Sequence, residues 1–120
     1  NAADFGDLTT TAASGAATSN SIRAICTGDE NVARNTIEYV TIATLGNAQD
    51  FGDLNTASIF APGAASSPTR GVIVGGYINP TQVNNMQYVQ IMSTGNAIDF
   101  GNLTTAIYSL GGCSNGHGGL

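Results

Sequence analysis

Three acid pairs are the first feature that could do chemistry: Asp4/Asp7, Asp50/Asp53 and Asp99, with Asn102 in the second place of the last pair. Hard cations such as Ca²⁺ want several oxygen ligands, and a loop that holds one usually clusters three or more acids. Here each cluster has two acids or one. The Asp/Asn interchange suits a turn residue, whose side-chain oxygen accepts from nearby backbone N–H groups. Structural capping is therefore the expected role, with no metal and no cofactor. Asp-Phe-Gly is also a magnesium-holding tripeptide of phosphoryl-transfer enzymes, but no phosphate loop, lysine or catalytic loop accompanies it. The single histidine, His117, cannot build a multi-histidine centre. No Gly-x-Ser-x-Gly turn is present, so no catalytic residue is assigned and no enzyme is expected. Asn102-Leu103-Thr104 has the form of a glycosylation acceptor. Its counterparts Asp7 and Asp53 favour a turn role.

Aromatic rings can stack on sugars, and four tyrosines are candidates. Tyr39 and Tyr88 occupy equivalent strand positions and are expected in the core. Tyr77 and Tyr108 are not so constrained. With Asn79, Asn84 and Asn85 nearby in sequence, they form the candidate glycan-binding set.

The elements that would position these residues repeat along the chain. Asn1-Ala2-Ala3-Asp4-Phe5-Gly6-Asp7-Leu8 returns as Asn47-Ala48-Gln49-Asp50-Phe51-Gly52-Asp53-Leu54 and as Asn96-Ala97-Ile98-Asp99-Phe100-Gly101-Asn102-Leu103. Asp4, Asp50 and Asp99 are thus 46 and 49 residues apart. The match extends further. Arg23-Ala24-Ile25-Cys26-Thr27-Gly28 lies over Arg70-Gly71-Val72-Ile73-Val74-Gly75, and Ile37-Glu38-Tyr39-Val40-Thr41-Ile42 over Met86-Gln87-Tyr88-Val89-Gln90-Ile91. Val72-Ile73-Val74, bounded by glycine, reads as a strand buried on both faces, and Ile37–Thr44 as a strand with apolar residues on both faces. Gly46-Asn47 and Gly95-Asn96 end their strands, because Gly reaches positive φ and Asn forms Asx turns. No window carries an apolar helical stripe over three turns.

A period near 47 falls in the range of roughly 40–50 residues seen for propeller blades. The order Gly75-Gly76, loop, Tyr88, Asn/Gly turn, Phe100, Leu103 resembles a divergent kelch motif, with Phe where kelch has Trp and Gly28-Asp29 in place of the first doublet. The phrases Ile37-Glu38-Tyr39-Val40-Thr41-Ile42 and Ser114-Asn115-Gly116-His117-Gly118-Gly119-Leu120 are similar to repeats of kelch-like virion and tail-fibre proteins of marine and cyanobacterial phages. That resemblance implies an all-β fold of about two and a half β-propeller blades. Residues 1–22 would be the second half of a blade, 23–69 and 70–116 two blades, and 117–120 the start of the next. It also implies a virion or extracellular protein with a structural or host-contact role, the alternative being a glycan-binding lectin-type propeller. No family site residues come with it.

Composition bounds the partners. The chain has 120 residues, a net charge of −5 and no lysine; its cations are Arg23, Arg34 and Arg70. An acidic surface repels phosphate backbones, so nucleic acid is not an expected partner. No stretch approaches the ~20 apolar residues that cross a bilayer as a helix. The expected partners are copies of the chain or neighbouring blades of a longer one, other virion proteins, and a host glycan. The asparagine start reads as a processed or truncated end, and a fragment is favoured over a complete protomer. Cys26 and Cys113 are too few for a disulfide framework. A buried free thiol at Cys26 is the expectation.

Overall fold

A computed structural model describes residues 1–28, 34–58 and 62–114. Ten strands are formed: β1 (Ala16–Ser19), β2 (Arg23–Thr27), β3 (Arg34–Thr41), β4 (Gln49–Ser58), β5 (Gly63–Ser66), β6 (Arg70–Val74), β7 (Tyr77–Ile78), β8 (Thr81–Gln82), β9 (Asn85–Gln90) and β10 (Ile98–Asn102). The first sheet has the order β1-β2-β3-β4 and the second β5-β6-β9-β10, while β7 and β8 pair alone. All pairings are antiparallel. No helix occurs among the described residues.

The two four-stranded sheets are the sequence repeat in three dimensions. Ile25 opposes Tyr39 in the first, and Val72 opposes Tyr88 in the second. The connecting turns repeat too: Ile42 N–H donates to Ile22 O as Ile91 N–H donates to Thr69 O. Arg23 lies over the Tyr39 ring at 4.5 Å and Arg70 over Tyr88 at 4.8 Å, each a cation–π contact. The strand expected at Ile37–Thr44 starts earlier and stops at Thr41, where a turn begins. β6 buries Gly71 and Ile73 on one face, while Val72 and Val74 on the other are half-buried.

Propeller blades are not what these sheets are. The described strands make three small antiparallel sheets, none closed into a barrel or ring. A period near 47 follows from four short strands with their turns, so it sets the size of a sheet and leaves open how successive sheets are arranged. The Gly75-Gly76 doublet that suggested kelch has a local task instead. Both glycines have positive φ, 64° and 121°, and lead into the β7–β8 hairpin, which the first sheet lacks among its described residues. Without blades there is no repeated propeller surface, so the phage-fibre and lectin-propeller functions drawn from it fall as well. The proposed blade start at 117–120, with His117, lies outside the described residues, as does Asp29.

The sheets stack. Each has a face carrying the Ile25/Tyr39 or Val72/Tyr88 pair, here called leading, and an opposite, trailing face. The core joins the leading face of the first sheet (Ile25, Ile37, Phe51 and Leu54) to the trailing face of the second (Ile73, Val89, Ile91 and Ala97). Burying a large apolar side chain contributes about 1.5–3 kcal/mol. This single joint therefore supplies most of the apolar stabilisation visible in the fold. Gly71 lets the sheets approach closely there: a Cβ would meet Ile25 Cδ1 at 2.8 Å, and the Ile25 tip would have to shift.

Candidate docking face

The recurring Asp-Phe-Gly phrase is a hydrogen-bonded clasp. Asp50 Oδ1 accepts from Gly52 N–H at 3.2 Å, and Asp4 Oδ1 from Gly6 N–H at the same distance. The acids thus close tight Asx turns, the capping role expected of them. The ladder slips at the phrase in both sheets: Asp50 opposes Glu38 and Gly52 opposes Ile37, so Phe51 is the extra residue. Phe100 is the extra residue in the same way. Such a bulge re-aims a side chain out of the ladder. Gly52 and Gly101 complete it with φ of 144° and 134°.

The first two phrases then dock on the turn that opens the next copy. Gly95 N–H donates to Phe51 O and Ala97 N–H to Asp53 O, both at 2.7 Å. Asp53 N–H donates back to Asn96 Oδ1 at 3.1 Å. The first phrase repeats the pattern one copy earlier: Gly46 N–H to Phe5 O at 2.9 Å, Ala48 N–H to Asp7 O at 2.8 Å and Asp7 N–H to Asn47 Oδ1 at 3.0 Å. A buried polar side chain seals each joint beside the clasp. Gln87 Oε1 accepts from Asn55 N–H at 2.8 Å, and its Nε2 donates to Thr56 O at 3.3 Å. Glu38 takes the same place in the first sheet, accepting from Thr9 N–H at 3.1 Å, from Thr9 Oγ1 and from Thr10 Oγ1 at 3.3 Å. Residues 1–10 therefore lie on the trailing face of the first sheet as β4 lies on that of the second.

The third phrase meets no such turn among the described residues. Among the described residues no turn donates to Phe100 O or Asn102 O, and a Cβ on Gly101 would meet only Met86 Cε, at 3.8 Å. Phe51 is 2% exposed and its counterpart Phe100 is 52% exposed. Both rings stand edge-on to a tyrosine at 5.9 Å, so local geometry is conserved and only the cover differs. Ile98 is exposed beside Phe100. One margin of this face is covered by the chain itself, where Leu110 packs against Gly63 and Gly112 lies close on Ala64.

The glycan candidates divide. Tyr77 and Tyr108 meet, ring centroids 5.2 Å apart and tilted by 47°, and Tyr77 Oη lies 3.3 Å from Asn79 Oδ1. Asn84 is used by the backbone, its Nδ2 and O bonding the Leu103 peptide at 3.3 and 2.6 Å. The Asn85 side-chain nitrogen and oxygen are buried without a hydrogen-bond partner among the described residues. Tyr77, Tyr108 and Asn79 are thus brought together, while Asn84 is bonded to Leu103 and the Asn85 amide is buried. No group of three potential metal ligands occurs among the described residues. Cys26 and Cys113 are both free thiols. Burial pushes the Cys26 thiol above its ordinary value, and the Glu38 carboxylate adds to that, so it is a weak nucleophile. Sequence reasoning missed this face, because Phe51 and Phe100 stand in the same phrase and differ only in what covers them. No protein-family model and no curated protein matches the chain.

Proposed function

We propose that the chain is a non-catalytic assembly module that binds other β-sheets through the leading face of its second sheet. The observation that carries this reading is the contrast between Phe51 and Phe100, the same residue in the same bulge, buried in one copy and half uncovered in the other. An exposed apolar cluster set in a polar surface marks an interaction site. The Phe100 and Asn102 carbonyls, to which no described turn donates, add directional acceptors to it. The charge of −5 and the absence of lysine support a protein partner over nucleic acid, and the same composition suits a virion or extracellular setting.

Sedimentation equilibrium over a wide concentration range tests the reading. The chain should gain mass with concentration, and Phe100→Glu should abolish the gain while the circular dichroism spectrum is kept. A chain that stays monomeric throughout, or a Phe100→Glu variant that associates as strongly, would overturn it.

A further inference from the structure

The partner can be specified from the joint inside the molecule. Resting on the assembly reading above, we infer that the leading face of the second sheet docks on the trailing face of the first sheet of a second copy, where it replaces that copy's residues 1–10.

The interior joint is the template. There a leading face carrying a Phe-Gly-Asp clasp meets a trailing face carrying Ile91, Gln87 and a Gly-Asn-Ala turn. The first sheet carries the same set on its own trailing face: Ile42, Glu38 and Gly46-Asn47-Ala48. Ile91 is 0% exposed in the interior joint, whereas Ile42 is 44% exposed on the outer face. Residues 1–10 therefore supply the clasp, while Ile42 stays nearly half exposed. An open pocket of about 170 Å³ lies beside this segment, lined in part by Leu8, Thr10, Cys26, Thr36 and Glu38. The crevice at the interior joint, beside Ile25, Ile37 and Ile73, has no room for a water.

The entering face is complementary. Phe100 O and Asn102 O would accept from Gly46 and Ala48 of the second copy, and Asn102 N–H would donate to its Asn47 Oδ1. An incoming sheet can also bury Ile42, which residues 1–10 cannot. The contact is head-to-tail, because two different faces meet, and such contacts propagate into open chains when the rotation does not close. Residues 1–10 act as an intramolecular plug that competes with the second copy for one site.

Loosening the plug in the 120-residue chain tests this. Gly6 has a φ of 142°, and a Cβ there would overlap the Gly46 carbonyl. Gly6→Val should undock residues 1–10 and strengthen self-association at least tenfold, and excess peptide of residues 1–10 should reverse it. Two further substitutions in that background each block one face: Phe100→Glu the entering face, Ile42→Glu the receiving one. Both residues are substantially exposed, so the sheets should survive, as circular dichroism will report. Each double variant alone should be monomeric, and an equimolar mixture should form a dimer and nothing larger. A mixture that stays monomeric while Gly6→Val associates would overturn head-to-tail docking and leave the assembly reading standing. A folded Gly6→Val chain no more associated than the wild type would overturn the plug. The Phe100→Glu comparison in the unplugged and wild-type chains separates these failures from failure of the assembly reading itself.

Discussion

Gly52→Ala and Gly101→Ala are the same change at equivalent positions of the repeat, and they should have different costs. Both glycines hold a φ near +140°, which L side chains rarely adopt; forcing one there costs about 1–3 kcal/mol. At Gly101 that is nearly the whole effect, because a Cβ meets only a flexible methionine tip at 3.8 Å. At Gly52 the Cβ would lie 2.5 Å from the carbonyl carbon and oxygen of Gly95. That contact is with backbone, so the turn must move. Moving it stretches the Gly95-to-Phe51 and Ala97-to-Asp53 hydrogen bonds, each contributing about 0.5–1.5 kcal/mol net. Gly52→Ala should therefore cost about 1–3 kcal/mol more than Gly101→Ala, a sizeable part of the ~5–15 kcal/mol that holds a domain folded. Urea unfolding of both variants, followed by circular dichroism at equal m-values, measures the difference. Equal costs would refute the reasoning, since they would show that the close approach of phrase and turn does not stabilise the fold.

The same structure sets the outcome of four further experiments. Ile91→Ala should cost about 2–5 kcal/mol as a core truncation, whereas its repeat counterpart Ile42→Ala should cost under about 1 kcal/mol; thermal or urea unfolding compares them. Glu38→Ala should free residues 1–10 and speed proteolysis within them without moving the global midpoint, while Glu38→Gln should be tolerated, because Gln87 does the same task in the second sheet. Cys26 should alkylate more slowly than the exposed Cys113 at pH 8, read by mass spectrometry of the tryptic peptides. The raised Cys26 pKa also has a sign for stability: its contribution is fully present below the ordinary thiol value of 9.0 and is lost as pH rises through the folded value. Cys26→Ala should flatten that alkaline decline.

Much of this architecture was legible in the chain. The repeat makes β2 the counterpart of β6 and β3 that of β9, because strand residues such as Ile25, Tyr39, Val72 and Tyr88 hold their types and spacing. The turn roles of Asp50 and Gly52 were legible for a similar reason: few residues close an Asx turn or adopt positive φ. The arrangement of successive sheets was not. The period is a local property of four strands and their turns, and it reads the same in a ring and in a stack. The joint itself rests on backbone groups of Gly95, Ala97, Phe51 and Asp53, which carry no side-chain signature. Phe51 and Phe100 are identical in sequence context, and only a neighbouring sheet separates a core residue from a docking residue. The β7–β8 hairpin was marked by Asn79-Pro80, a turn dipeptide, but the regularity of the surrounding repeat masked it.

Amide hydrogen exchange at four positions tests the central claim most directly. The amides of Gly95 and Ala97 are held by a whole sheet, and those of Gly46 and Ala48 by residues 1–10 alone. The stack predicts that Gly95 and Ala97 exchange only with global unfolding. It predicts that Gly46 and Ala48 exchange sooner, through local release of the plug. Rapid exchange at Gly95 and Ala97, or equal protection at all four, would contradict it.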